Sequence, residues 1–424
     1  MAPTASDSAP VEFHFDPMGR TEDLRRYSPG GYHPVVVGNT FDQDMTLPDN
    51  QRRYRILHKL GYGSYATIWL ARDQASNAFV ALKVTTAESS RAEMREARML
   101  RQLAGAAEGP STHILTLCDQ FSVQGPNGLH HILATEVVVP LLTVLRPETS
   151  PRWRKSAARA LASGVAHMHA SGIKHGDLHL GNLGCAFPEL AQQSEDDVMQ
   201  DLDPYDITVV LPCNPEEQTP SLPAYVLSAC NLGEYCRRIR LPERDPDIRI
   251  LDFGNARFAD DPASDIQCAE EACAPEVAFA RVALHESKPA WGPPSDIWAL
   301  GAAIYEIVSG SSLFYGVGIG EGLLDRMVAL TGSVPVRWQT FWQSRHARRD
   351  IGHSSDSSHE AVDREWARRR DRLREKCADD ADVDRLVALL RRILVLEPEK
   401  RPTIDEVVQD PWFQVGDNIA APAA

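Results

Sequence analysis

His175-Gly176-Asp177-Leu178-His179-Leu180-Gly181-Asn182, followed later by Ile250-Leu251-Asp252-Phe253-Gly254, is the stretch whose reading decides the fold. Asp177 and Asn182 stand five positions apart. That spacing can set a carboxylate at an attacking hydroxyl and an amide oxygen on a magnesium ion. Asp252 follows a short apolar run and offers a second oxygen ligand. Mg²⁺ takes hard oxygen donors and keeps several waters, so Asn182 and Asp252 suit it.

Working outward, Tyr54 to Leu70 carries β-rich runs on both sides of glycines and is expected to form a hairpin. Its centre, Gly61-Tyr62-Gly63-Ser64-Tyr65-Ala66-Thr67-Ile68, would let backbone N–H groups approach a polyphosphate closely. Ala66 stands where a third glycine is common, and taken alone the pattern is weak, since many tight turns look the same. Lys83 lies in the short strand Phe79 to Val84, where a point charge can meet α- and β-phosphates; a lone strand lysine is ordinarily a surface residue. Arg91 to Leu103 places Met94, Ala97, Leu100 and Leu103 on one helical face. Glu96 on that helix can orient Lys83, although a solvated face is the plainer reading. A further strand over His131 to Val139 ends at Pro140, and helices are expected over Arg152–Ala170, Ser295–Ser309 and Asp363–Leu396. Ser194 to Pro246 is acidic, rich in proline and looks inserted; no internal repeat is visible.

Glycine loop, strand lysine, helix glutamate, H-x-D-x-x-x-x-N and D-F-G, in that order, resemble the signature set of protein kinases. The resemblance implies an α+β, bilobal fold with a small β-rich N-lobe holding one helix and a larger helical C-lobe. H-G-D-L-H-x-G-N also resembles the loop of aminoglycoside and choline phosphotransferases, small-molecule kinases of related fold. Three later segments favour protein kinases: Ala274-Pro275-Glu276, Asp296-Ile297-Trp298-Ala299-Leu300-Gly301, and Arg401-Pro402 ahead of Asp410-Pro411-Trp412-Phe413. Arg401 is the residue expected to pair with Glu276.

The likeness narrows to the SR-protein kinases, in the divergent form found in fungi, over about residues 27–414. It rests on Tyr27-Ser28-Pro29-Gly30-Gly31-Tyr32-His33-Pro34-Val35, on Leu60 to Leu70, on Asp265-Ile266-Gln267 and on Glu276-Val277. A spacer sits between catalytic loop and D-F-G in that family; here Asn182 and Asp252 are 70 positions apart. The implied layout is a disordered segment 1–26, an N-lobe with its extension over 27–136, a C-lobe over 137–414 with an insert at 183–247, and a flexible tail 415–424.

By this resemblance the cofactors are ATP and Mg²⁺. Asp177 orients the substrate hydroxyl and accepts its proton, Lys83 held by Glu96 positions the α/β-phosphates, and Asn182 and Asp252 hold magnesium. Leu60, Ile68 and Ala81 line the adenine, Thr135 is the gatekeeper, and Glu136 to Val138 supply hinge hydrogen bonds. Three departures stand out. Gly176 replaces the arginine that reads a phosphorylated activation loop, and Ser264 is the sole hydroxyl residue between Phe253 and Cys273. Both imply constitutive activity. His179 replaces a lysine expected at the γ-phosphate; an imidazole titrating near 6.5 carries little charge at pH 7, so turnover is expected to be slowed or pH-sensitive. A catalytically weak pseudokinase scaffold is the remaining alternative.

Composition adds the substrate. The chain has 424 residues, 43% apolar, with a net charge of −15. Residues 183–276 carry 6 basic and 20 acidic groups, so nearly the whole excess lies in the insert and activation segment. Asp260, Asp261, Glu270 and Glu271 belong to the latter. Such a surface attracts basic, Arg/Ser-rich protein substrates and disfavours direct nucleic-acid binding. No basic n-region with an apolar run opens the chain, and no run reaches the ~18 apolar residues of a membrane helix. The eight cysteines show no metal-like pairing and read as separate buried or loop thiols. A soluble, monomeric protein of cytoplasm or nucleus is expected, without a membrane partner.

Overall fold

The computed structural model describes residues 11–17, 19–105, 113–239, 245–261, 266, 268–316, 318–348 and 359–414. They fall into two compact units, one drawn from 1–100, 115–139 and 186–242, the other from 101–114, 140–185 and 243–424.

The first unit is built on an antiparallel sheet of β1 (Thr40–Phe41), β2 (Tyr54–Gly63), β3 (Ala66–Asp73), β4 (Ala78–Thr85), β5 (Leu117–Gly125) and β6 (Gly128–Thr135). Their spatial order is β1-β2-β3-β4-β6-β5. Aromatic and β-branched residues suit these pleated, half-buried positions. Ile56, Trp69, Val80, Leu82, Val84, Ile132 and Ala134 form its buried core. Helix α1 (Ser90–Gly105) buries Ala97, Leu100 and Leu103, the spacing expected for one helical face.

Two expectations fail here. Residues 11–26 were expected to be disordered with the rest of 1–26, yet Thr21, Glu22 and Leu24 are buried. Leu24 to Arg26 form a 3₁₀ turn capped by Asp23. The Lys59 ammonium bonds Glu22, and Tyr27 donates to the same carboxylate at 2.5 Å. Both charges of the Lys59–Glu22 pair are wholly buried. Burial pushes Lys59 below its ordinary range, with Glu22 opposing the shift.

The insert is the second correction. Expected as part of the C-lobe, residues 186–242 pack with the sheet instead. A hairpin of Ile207–Val209 and Tyr225–Leu227 sends Leu227 into the sheet core and Val226 against Leu24, Tyr27 and Tyr32. Glu195 pairs with Arg55 at 2.7 Å, Tyr205 donates to Leu57 O at 2.9 Å, and Cys230 N donates to Lys59 O at 2.9 Å. The reason is chemical: Glu195 of the insert meets Arg55 on β2, while apolar residues such as Val210, Leu222, Val226 and Leu227 complete a core. Residues 1–10, 240–244, 262–265 and 415–424, which include the expected tail and Ser264, lie outside the described residues.

His33 and His130 pack 4.8 Å apart in the same unit. His130 Nδ1 meets Thr85 O at 2.8 Å, while His130 Nε2 and His33 Nδ1 are buried without a hydrogen-bond partner. Burial, then the neighbouring His130, pushes His33 down to about 3; burial also lowers His130. The fold therefore keeps both neutral, while the unfolded chain protonates them near 6.5. Their contribution is intact above pH 6.5 and is lost as pH falls toward 3. From pH 7.5 to 5.5 the wild type is expected to lose about 1–2 kcal/mol more than His33→Phe. Urea midpoints at the two pH values check this; equal losses would refute it.

In the second unit, α2 (Pro151–Ala170) starts at Ser150, whose Oγ accepts from Trp153 N at 3.3 Å. β7 (Leu183–Ala186) pairs antiparallel with β8 (Ile248–Ile250), matching Cys185 to Ile248 and Leu183 to Ile250. The insert thus leaves and returns through adjacent strands. Beyond them come α3 (Pro275–Ala283), α4 (Pro293–Ser309), α5 (Glu321–Thr331), α6 (His359–Arg374) and α7 (Asp380–Ile393). α4 is buried on nearly all sides. A Cβ on Gly301 would lie 2.5 Å from Ile393, so glycine permits that close approach. The helix expected over Asp363–Leu396 is two helices, because Asp379 caps the second by accepting from Asp382 N at 2.7 Å.

Candidate active site

The glycine loop joins β2 to β3 through Ser64 and Tyr65. Gly61 and Gly63 do not have positive φ. A Cβ at Gly63 would meet nothing within 4 Å, and one at Gly61 only Ile68 at 4.0 Å. Neither backbone strain nor packing demands glycine at these two positions; what a side chain would fill is the open face of the loop. That open face leaves room for a polyphosphate to approach the backbone.

The N-terminal segment holds this loop from behind. Tyr32 Oη donates to Gly63 O at 2.7 Å, and Arg26 donates to Tyr32 Oη at 3.1 Å and also to Ser64 O. Arg26 pairs with Glu88 at 2.8 Å, and Tyr62 Oη donates to Gly19 O at 2.5 Å. None of these contacts was expected from the sequence, although Tyr32 lies in the stretch that carries the family likeness.

On β4, Lys83 pairs across the sheet with Ile68 and Leu133, and Ala81 with Leu70 and Thr135. The Lys83 ammonium lies 2.6 Å from a buried Glu96 carboxylate oxygen. This is the expected ion pair, with the Lys83 side chain partly exposed. Ala81 and Thr135 are buried, while Leu60, Ile68 and Val138 are half-buried. Glu136 N donates to Thr116 O at 3.1 Å, and Glu136 O accepts from Thr135 Oγ1 at 3.1 Å.

The second unit brings Asp177, His179, Asn182 and Asp252 onto adjacent loops. Asp296 fixes the catalytic loop: it accepts from His175 N at 2.8 Å, Gly176 N at 2.9 Å and His169 Nε2 at 3.0 Å. Burial raises the Asp296 pKa, but the His169 hydrogen bond and nearby histidines outweigh it and hold the carboxyl below its ordinary value. Asp177 N donates to His175 Nδ1 at 3.2 Å, which leaves Nε2 as the donor to Leu251 O at 3.0 Å. His175 also packs edge-on against the wholly buried Phe253, ring centroids 5.0 Å apart.

The Asp177 carboxylate accepts from Ala269 N at 2.9 Å, with longer approaches from Asn255 Nδ2 at 3.4 Å and Asn182 Nδ2 at 3.5 Å. Asn182 Nδ2 also donates to Asp177 O at 2.9 Å. With its nitrogen so used, Asn182 can turn its amide oxygen to a cation. Leu251 N donates to Asn182 O at 2.9 Å, tying the strand before Asp252 to the same loop. Asp252 is exposed and takes φ +57°. Amide oxygen and carboxylate form a hard donor set that fits Mg²⁺.

The departures gain a physical reason. Gly176 has φ +83°, and a Cβ there would lie 2.8 Å from Trp291 and 3.3 Å from Ile266. An arginine would need a left-handed backbone and displacement of the Trp291 ring. Lys174 lies over that ring at 4.7 Å. His179 Nδ1 accepts from Gly181 N at 3.1 Å, so the neutral ring carries its proton on Nε2, 3.8 Å from Asp177 Oδ1. His169, Trp291 and Asn255 are site residues that no motif announced. Asp296 stood in a recognised motif, but its hold on the loop was not expected.

A protein-family model described as the protein kinase domain matches residues 54–186 and 240–413. Serine/threonine-protein kinase SKY1 of Saccharomyces cerevisiae is 32% identical over 175 residues, 38% of this chain and 22% of that protein. A serine/threonine protein kinase of Aspergillus fumigatus is 24% identical over 408 residues, covering 92% of this chain and 90% of that one. SRSF protein kinase 3 of Homo sapiens is 33% identical over 121 residues, 28% of this chain and 20% of that one. The matches to SKY1 and to the human kinase therefore span only about a fifth of those proteins. In fold, the chain is similar to the crystal structure of the PF14_0431 kinase domain, with TM-score 0.56 and 15% identity, over 89% of this chain and 99% of that one. Among the described residues, no helix is long and apolar enough to cross a membrane.

Proposed function

This chain belongs to the protein kinase family, and from that premise we propose that it transfers the γ-phosphate of ATP to serine in Arg/Ser-rich proteins, without prior phosphorylation of its activation segment. The observation that carries the reading is Asp177, held by the Ala269 N–H on a loop that Asp296 anchors, where it can orient a substrate hydroxyl and take its proton. Lys83, set by Glu96, would position the α- and β-phosphates, and Gly61 to Thr67 would cover the phosphate chain. Magnesium held by Asn182 and Asp252 would neutralise charge on the phosphates. Glu136 and Val138 would offer backbone bonds to adenine, against Leu60, Ile68 and Ala81. His179, with Nε2–H as donor, would supply a neutral hydrogen bond where a lysine is usual.

Activity without activation-segment phosphorylation follows from Gly176 and Trp291, which leave no room for a phosphate-reading arginine. Substrate choice follows from the acidic excess over 183–276. Part of that excess is structural, since Glu195 pairs with Arg55. Asp260, Asp261, Glu270 and Glu271 remain among the acidic groups of the activation segment. We take the protein to act as a monomer in cytoplasm or nucleus. With Mg-ATP, an Arg-Ser repeat peptide is expected to be labelled at least about tenfold better than a neutral serine peptide at low salt, a preference that salt erodes. Equal labelling would remove the Arg/Ser preference. No labelling with ATP binding intact would mark a scaffold, and labelling of choline or aminoglycosides alone a small-molecule kinase.

A further inference from the structure

Two of the cysteines are not separate thiols. Cys268 and Cys273 both lie between Gly254 and Pro275, and their Sγ atoms are 3.2 Å apart. A disulfide needs 2.03–2.05 Å, so roughly 1 Å of closure would join them. Cys268 is half-buried, whereas Cys273 is 1% exposed. Arg281 on α3 aims its guanidinium at this pair, with Nη1 3.5 Å from Cys268 Sγ and Nη2 bonded to Ile266 O.

The two sulfurs are chemically unequal. The hydrogen bond with Cys273 holds the Cys268 thiol below its ordinary range; burial and Asp177 oppose this and Arg281 assists. The same hydrogen bond, then burial, pushes Cys273 up, with Glu276 adding to the rise. A half-buried thiol biased toward ionisation, 3.2 Å from a fully buried one, is the arrangement of an attacking and a resolving cysteine. The residue after Cys268 is Ala269, whose N–H holds Asp177 at 2.9 Å.

We propose that Cys268 and Cys273 are a peroxide-oxidisable pair whose disulfide pulls the Ala269 N–H away from Asp177 and switches phosphate transfer off. The consequence for transfer rests on the kinase reading above; the bond itself does not. The Cys268 thiolate attacks one peroxide oxygen, the O–O bond breaks, and the departing hydroxide takes a proton to become water. Cys268 is left as a sulfenic acid. The Cys273 thiol then attacks that sulfur, the S–S bond forms, the S–O bond breaks, and the hydroxyl leaves with the thiol proton as a second water. Peroxide gains the two electrons that the thiols lose. A reductant of the dithiol class reverses the step by exchange.

The test treats the full chain with hydrogen peroxide, blocks remaining thiols with iodoacetamide, maps peptides by mass, and assays serine-peptide labelling in parallel. A linked Cys268–Cys273 peptide is expected, with labelling lowered by about 10²-fold, the scale of a 1 Å misplacement, and restored by dithiothreitol. Cys268→Ser is expected to label normally and to keep its activity under peroxide. Cys273→Ser is expected to stop at the sulfenic acid, trapped by dimedone on Cys268. Separate alkylation of both thiols after peroxide would overturn the proposal, as would a linked peptide with labelling unchanged. Absence of labelling in the reduced wild type would instead refute the kinase reading, while the mass map still decides whether the bond forms.

Discussion

Asp177→Asn is expected to lower serine-peptide phosphorylation by about 10²–10⁴-fold, the usual contribution of a positioned proton acceptor. The substitution keeps size and shape. Its amide oxygen can still accept from Ala269 N, so the loop that Asp296 anchors should hold its form. What disappears is the charge and basicity at the position where a hydroxyl would lose its proton. On the proposed reading ATP would lie against other groups, so its stabilisation of the variant against heat should match that of the wild type. Initial rates at saturating ATP, with thermal shift as the companion measurement, decide the matter. A variant retaining a third of the wild-type rate would remove Asp177 from its role.

The second large effect concerns stability. Glu276→Gln is expected to cost about 3 kcal/mol, near the lower end for breaking a buried ion pair. The Arg401 side chain is wholly buried, reaching Glu276 at 2.6 and 3.0 Å and three carbonyls, of Pro294, Val395 and Leu396. It also lies over the Trp298 ring at 5.4 Å. Removing the carboxylate charge leaves a buried guanidinium without its counter-ion, whereas the hydrogen bonds to carbonyls stay. Ser295, which donates to Glu276 at 2.7 Å, must also find a new acceptor. Lys400→Ala next door, which breaks the exposed 2.9 Å pair with Glu397, serves as control and should leave the unfolding midpoint unchanged. Equal midpoints for Glu276→Gln and wild type would show that the pair carries no net stability.

Asp177, Asn182, Asp252, Lys83 and Glu96 were legible because phosphoryl transfer restricts residue type and order along short stretches. The Glu276–Arg401 pair, 125 positions apart, was legible only through the family likeness. What stayed hidden depended on long-range packing without a fixed motif. Nothing local says that Glu22 will bury a carboxylate against Lys59, or that Tyr32 will reach the Gly63 carbonyl. The insert was visible as an interruption, but its side was not, because its buried apolar residues, among them Leu190, Val198, Val210 and Leu227, follow no helix or strand period. Gly176 was noticed as a missing arginine; only Trp291 in space explains why the position excludes one. The break between α6 and α7 could have been found, since Asp379-Asp380 is a helix-start signal inside an otherwise periodic run.

The first unit takes its chain from 1–100, 115–139 and 186–242, with 140–185 assigned to the other unit. On a ribosome this order imposes a wait. The sheet strands up to Thr135 emerge first, yet Leu227, which completes their core, and Glu195, which neutralises Arg55, arrive roughly 10 s later at ordinary synthesis rates. During that interval apolar sheet residues stand uncovered and the nascent chain is a natural client for a holding chaperone. Synthesis halted before Tyr225 would release a sheet without its cover, so the yield of soluble fragments should rise once the hairpin ending at Leu227 is included.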